Sequence, residues 1–300
     1  MRQGLDALEA RANQEARALM GEVAWPTIAL AATVLALYAA TLIGAALGAV
    51  APWLAFAGVA TLTYVSYTVV HEAVHGSING RETSLRWLNE TLGFACAQPF
   101  AASFVIHRKE HFAHHRDTNH VGADPDLLIV SHGLGGMIKA VATTTGRQIR
   151  FYMARHWGEA SDRERAVVAL EFAFGAAWRL AFLAVAGWKL ALLLLVAAPV
   201  VGAFVLQALF AWVVHRSFDR TGRYLDTSTI VFPQPIDGIV TALWLFQNYH
   251  GIHHLFPRVP FYRYRQLFSR IEDVMVANGA AIHRIGQARP ASRLPALEKI

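Results

Sequence analysis

The chain has 300 residues, 55% of them hydrophobic and only 16% charged, with a mean hydropathy of +0.33. A soluble domain carries roughly 45–50% apolar and about 25% charged residues, so this composition argues against a soluble globular protein and for a membrane protein. The single cysteine, Cys96, excludes an internal disulfide and any cysteine-built cluster, so a metal would have to be held by His, Asp or Glu.

Residues 1–23 place Leu5, Leu8, Ala12 and Leu19 at helical spacing among charged residues. They read as an amphipathic helix, either on a membrane surface or as a solvated leader. Asp6, Glu9, Glu15 and Glu22, without a short apolar core, set this segment apart from a signal peptide. Residues 25–50 and 51–70 carry no charge, and each is long enough to cross a hydrocarbon core of about 30 Å. Gly48, Pro52 and Trp53 mark a turn between them, giving a hairpin. A second apolar block, 167–214, is punctuated by Gly187, Trp188 and Lys189, which predicts a second hairpin. Trp25, Trp53 and Trp188 fall at span ends, where indole rings favour the interface.

The expected fold is therefore all-α and integral to the membrane, with four transmembrane helices in two hairpins under a helical cap. The membrane domain covers 24–270, followed by a C-terminal helix and tail over 271–300. All but two of the 27 Lys and Arg, Arg179 and Lys189, lie on the side of the termini and large loops. The positive-inside rule places that side, termini included, in the cytoplasm. This accounts for the net charge of +6 without a nucleic acid partner. Arg179 and Glu171 fall inside the third span, where charges face a bundle interior or mark function.

Nine of the 14 histidines gather at these span ends. His71 and His75 form H-E-A-V-H, His111, His114 and His115 form H-F-A-H-H, and His250, His253 and His254 form H-G-I-H-H. His215 stands alone where the fourth span ends. Residues three and four apart share a helix face, so each box can aim imidazoles at one point. Nine donors exceed the three or four of a tetrahedral zinc site and suit two ions with open positions. Imidazole alone leaves iron, zinc, copper and nickel open. His107, His120, His132, His156 and His283 read as non-ligands.

His71-Glu72-Ala73-Val74-His75 also fits the H-E-x-x-H of zinc proteases, in which Glu is the general base. Residues 233–238, P-Q-P-I-D-G, would then offer Asp237 as a third ligand, as in intramembrane metalloproteases. That reading leaves both H-x-x-H-H boxes unexplained.

Together the boxes resemble those of the membrane fatty acid desaturase and hydroxylase superfamily. Residues 103–126, S-F-V-I-H-R-K-E-H-F-A-H-H-R-D-T-N-H-V-G-A-D-P-D, are similar to its second box and the T-N and D-P-D elements that follow. Within it, residues 247–257, Q-N-Y-H-G-I-H-H-L-F-P, continuing R-V-P-F-Y-R-Y-R, and the H-R-S-F-D that starts at His215 resemble desaturase-type β-carotene hydroxylases. Gly251 and H-E-A-V-H depart from that pattern. Ala211 stands where some relatives place a ligating Asn.

The resemblance implies a non-haem diiron centre held by the nine His, with O2 as cosubstrate and oxidation of a lipid C–H bond. The expected reaction is hydroxylation of a carotenoid ring; the alternative is desaturation or hydroxylation of a fatty acid or acyl lipid. Metal-bound His usually pass their other ring N–H to a carboxylate or carbonyl, and the candidates are Glu72, Glu110, Asp124, Asp126 and Asn248. No haem, flavin or nucleotide motif is present, so electrons would come from a separate ferredoxin or cytochrome.

Overall fold

The computed structural model describes residues 2–127, 133–215 and 220–287. His132 and the R-S-F-D that follows His215 lie outside the described residues, as does the tail beyond residue 287. The described chain is mostly helical.

Helix α1 spans Arg2–Leu19 and α2 spans Trp25–Ala46. Gly48, at φ 73°, turns the chain, Val50 N–H closes on Gly44 O at 3.0 Å, and α3 starts with Pro52 and runs Pro52–His75. Pro suits this first position because its missing N–H has no helical partner there. Gly76, at φ 65°, ends α3 in the left-handed conformation directly after the first histidine box. Helices α2 and α3 meet along Tyr38, Leu42, Ala55 and Val59.

Helix α4 (Trp87–Ala97) packs on α3, and α5 (Phe104–Asp117) carries the second box. After α6 (Gly133–Arg155) comes a 54-residue apolar run from Asp162 to His215. It begins with α7, Asp162–Leu192, which Gly187 breaks at φ 77°, ψ 163°, where the sequence predicted a turn. A π-helical turn (Leu193–Ala197), α8 (Ala198–Leu206), a second π turn (Gln207–Trp212) and α9 (Val213–His215) follow. Trp178 and Phe182 before the break, and Leu190 and Leu194 after it, all pack on the α2–α3 core.

Among the described residues, three helical stretches are long and apolar enough to cross a membrane: Trp25–Ala46, Pro52–His75 and Asp162–His215. The indoles of Trp25, Trp53 and Trp188 lie at the ends of their helical segments and are exposed.

Gly202 sits where α8 presses on α3: a Cβ there would stand 2.4 Å from Ala60 O and 2.8 Å from Thr63 Cβ. Small residues at such crossings let helix backbones approach closely.

The remainder departs from an all-helical expectation in one detail. Strand β1 (Ser228–Val231) pairs in parallel with β2 (Ala281–Arg284), with Ile230 opposite His283. Between them lie α10 (Asp237–Leu243), α11 (His250–Leu255) with the third box, and α12 (Tyr264–Ala277).

The apolar face of α1 is occupied within the protein. Ala12, Ala16 and Leu19 are buried in one cluster with Leu267, Ile271 and Val274 of α12. Arg11 pairs with Asp273 and Arg270 with Glu15 at the rim. Exposed pairs of this kind contribute little, so the buried face holds α1.

A candidate dimetal centre

Four elements deliver nine imidazoles to one place, and adjacent His residues divide between two clusters. His71, His75, His111, His115 and His253 form one, and His114, His215 and His254 the other, with candidate ligand atoms in each within 4.8 Å of one another. Helical geometry explains the division. His71/His75 and His111/His115 are four apart and share a face, whereas neighbours such as His114/His115 and His253/His254 point about 100° apart. Each H-H pair therefore feeds both clusters. His250 sits between them, its ring 4.8 Å from His254, 4.9 Å from His215 and 5.2 Å from His253. The clusters touch where His115 stacks on His254 at 4.3 Å.

The ring nitrogens are spaced as ligands would be. His75 Nε2 and His111 Nε2 are 2.9 Å apart, His111 Nε2 and His115 Nε2 3.1 Å, and His115 Nε2 and His253 Nε2 2.9 Å. Metal–nitrogen bonds of about 2.0–2.1 Å meeting at right angles set neighbouring nitrogens about 3 Å apart. Both ring nitrogens of His71, and Nε2 of His254, are buried without a hydrogen-bond partner. A buried polar atom left unpaired is costly, and a cation at the cluster would remove that cost. The residues fit a pair of metal ions.

The outer nitrogens set the tautomers. His114 Nδ1 donates to Asp124 Oδ1 at 2.9 Å, and the same carboxylate accepts from the backbone N–H groups of Asn119 and Asp126, both at 2.8 Å. Tyr264 O–H donates to Glu72 Oε1 at 3.3 Å and accepts from His253 Nδ1 at 2.9 Å. His250 Nδ1 donates to Gln247 Oε1 at 3.1 Å. All three are thus left with a lone pair on Nε2.

Burial and neighbouring imidazoles hold His111, His115, His250, His253 and His254 well below the ordinary histidine value, so they are neutral, as ligands must be. Burial also acts to lower His114, but Asp124, Asp126 and Asp226 outweigh it and lift it to about 9. The field that would favour a proton on His114 equally favours a cation beside it.

The expected supporting residues take different parts. Asp124 touches a histidine directly. Asp126 Oδ2 lies 3.9 Å from His114 Nδ1 and lines a neighbouring cavity. Glu72 reaches His253 only through Tyr264, and its carboxylate also accepts from Ser77 Oγ at 2.8 Å and from the Phe261 backbone. Glu110 is buried in the cavity wall; burial and Asp126 lift its carboxyl to about 8. Asn248 donates to Ile230 O (2.9 Å) and Thr241 Oγ1 (3.0 Å), tying the third box to β1 and α10, while its neighbour Gln247 meets the imidazole.

Gln247 and Tyr264 were not singled out from the sequence. Gln247 stands three residues before His250, a helical spacing that could have marked it, and the F-Y-R-Y-R run after the third box is the one signal for Tyr264.

Glu171 and Arg179 also find their roles. Glu171 accepts from Ser103 Oγ and from Val105 N (3.4 Å), so it caps the helix that carries the second box. A carboxylate at a helix N-terminus is favourable. Arg179 donates to Gly175 O (2.8 Å) and to Gln98 O, bracing the turn before that helix. Gly251 has a steric reason: a Cβ would stand 2.8 Å from Thr229 Oγ1 and 3.4 Å from Met275 Cε, so glycine lets the third box seat on β1 and α12.

The protease geometry is not formed. Asp237 pairs with Arg265 at 2.8 Å and is not in either histidine cluster, and the Glu72 carboxylate is engaged by Ser77 and Tyr264.

Beside the histidines lies a cavity of about 360 Å³. Tyr67, Phe100, Leu206 and Phe210 shape its apolar walls, and both π-helical turns contribute residues, Leu195 and Val196 from one, Phe210 and Ala211 from the other. π turns interrupt a regular helix at a cost and recur at functional sites.

A helical, membrane-spanning framework that gathers three histidine boxes beside an apolar cavity defines a class of membrane-bound oxidative enzymes. The fatty acid desaturase family model matches residues 48–286, and the chain belongs to that family. A comparison with curated proteins gives no match. Membership makes the chain a membrane oxidoreductase acting on lipid with oxygen at its histidine-rich site.

Proposed function

We propose that this protein hydroxylates the ring of a carotenoid, using O2 and a diiron centre held by His71, His75, His111, His114, His115, His215, His250, His253 and His254. The carrying observation is the pair of touching histidine clusters, with Nε2 lone pairs turned inward, at the head of an apolar cavity. The ring substrate rests on the likeness of residues 247–257 and the following P-F-Y-R-Y to ring hydroxylases.

The irons, when bound, supply the oxidising power for C–H cleavage that no side chain has. The chain's own residues hold and orient. Asp124 holds His114, Tyr264 and Glu72 hold His253, and Gln247 holds His250. Tyr67 and Phe210 narrow the cavity next to His71, their rings 5.8 and 6.2 Å from its imidazole, and exclude water there. Glu110 lies in the cavity wall, where burial and Asp126 push its carboxyl up to about 8.

The break at Gly187 supports a four-span reading. A straight 54-residue helix would run about 80 Å, far beyond a bilayer core, and a run folded back at Gly187 would cross twice. The charge distribution sets the histidine site and both termini in the cytoplasm, where a ferredoxin or cytochrome delivers electrons. The membrane domain is read as 24–270; α1 packs on α12, the helix that straddles its end.

Co-expression with β-carotene and an electron donor, followed by chromatography of pigments and of fatty acid methyl esters, tests the reading. Hydroxylated pigment is expected. Unchanged β-carotene alongside altered fatty acids would replace the ring with an acyl chain.

A further inference from the structure

The cavity beside the histidines has a mouth, and its rim has a different chemistry from its interior. His107, Glu110, Asp126, Arg147 and Gln148 are buried or half-buried in the wall. Four lining residues are exposed: Ala101, Ala142, Val196 and Val200. All four are small and apolar, with Val196 51% and Val200 47% exposed. Ala101 lies in the turn before α5, Ala142 in α6, Val196 in the first π turn and Val200 in α8. The π turn and α8 belong to the apolar run Asp162–His215, in which Leu192, Val196, Val200 and Val205 expose a continuous strip. The mouth therefore opens on a surface that suits lipid, not water.

Helix α6, on the other side of the mouth, carries a second, independent sign. It packs on α8 and so lies at the level of that apolar run. Its inner face, with Met137, Ala140 and Tyr152, is buried. At 100° per residue, Ile138, Ala142, Ile149 and Met153 fall within about 60° of one another on the outer side, and all are exposed. Lys139 and Arg150, also exposed, border that stripe. The stripe of α1 is covered by α12, whereas no described element covers this one. An apolar stripe edged by basic residues is the pattern of a helix lying in the headgroup region of a bilayer.

We infer that α6 lies in the bilayer interface with its Ile138–Met153 stripe in lipid, and that the cavity opens sideways between α6 and α8 into the acyl region. The ring of a molecule that stays in the membrane reaches the histidine clusters through this mouth without crossing water. Val200, on the rim, sets the width of the passage. The identity of the ring rests on the carotenoid reading above; the route is what the mouth and α6 add.

The test uses the metal-loaded full chain in phosphatidylcholine nanodiscs. Nitroxide labels on Ile138→Cys and Met153→Cys are read by power saturation with O2 and with a nickel chelate. Val121→Cys, at a site 91% exposed after the second box, is the water control, and the fully buried Cys96 stays in place. The stripe labels should meet O2 and be shielded from nickel, the reverse of the control. Nickel access equal to that of the control at either stripe position overturns the inference. The mouth is tested without reductant, by the β-carotene that the protein retains on extraction from pigment-loaded nanodiscs. Val200→Trp should retain roughly tenfold less, as overpacking of a fitted passage does, with metal content and melting unchanged. Val201→Trp adds the same bulk one residue on, off the cavity, and should retain as much as the wild type. Undiminished pigment in Val200→Trp, or equal loss in both variants, overturns the mouth. A wild type that retains no pigment while its stripe labels sit in lipid overturns the carotenoid reading and leaves the lateral opening standing.

Discussion

Asp124→Asn is the substitution whose outcome the geometry constrains most. The Asp124 carboxylate accepts three hydrogen bonds: Oδ1 from His114 Nδ1 (2.9 Å) and Asp126 N (2.8 Å), and Oδ2 from Asn119 N (2.8 Å). Asparagine keeps one oxygen. Placed as Oδ1, it preserves the bonds to His114 and Asp126 but sets its amide against Asn119 N–H; flipped, it loses two bonds to save one. The first arrangement costs less and leaves one buried backbone donor unpaired, about 1–3 kcal/mol. It also removes the charge that steadies a cation beside His114. Loss of such a partner lowers metal affinity by about 10- to 100-fold.

His114 belongs to the cluster with His215 and His254, not to the five-histidine cluster. The loss should therefore be selective. After dialysis against a mild chelator, elemental analysis should show iron falling from about two to about one per chain, with a lower thermal midpoint. Two irons held as firmly as in the wild type, with unchanged melting, would refute the role given to Asp124.

Two further substitutions probe the supports. Tyr264→Phe breaks the bridge between His253 Nδ1 and Glu72, so metal affinity should drop roughly tenfold. Glu72 remains bonded to Ser77, so the protein should still fold; titration with a competing chelator reads the change. Gly202→Val places side-chain atoms against the Ala60 carbonyl, which cannot rotate away, and overpacking of this kind costs about 1–3 kcal/mol. A thermal melt in detergent should show a clear loss.

The parts legible in the sequence were those carried by local spacing. An uncharged run and a glycine at its end mark a span and its turn, and Gly187 breaks the third apolar run at the predicted place. The i, i+4 spacing of His71/His75 and His111/His115 put those imidazoles on shared helix faces, while the division of the nine between two clusters was not legible in it. What stayed hidden depends on contacts between distant residues. β1 and β2 are four residues each, about fifty apart, and pair only because the chain between them returns through α12. The apolar stripe of α1 is the same whether it meets lipid or Leu267 and Ile271; only tertiary packing decides. Glu171 is a charge in a span by sequence and the cap of the second-box helix by structure. Asn248 and Gln247 are adjacent amides, and only the three-residue spacing of Gln247 to His250 sets the latter apart.

The central claim is a pair of irons in two touching histidine clusters. Its most direct test is elemental analysis of the purified chain, with protein quantified by amino-acid analysis. About two irons per chain are expected, fewer in His253→Ala, and no stoichiometric zinc. A single zinc per chain, or full activity and iron in the His253→Ala variant, would contradict it.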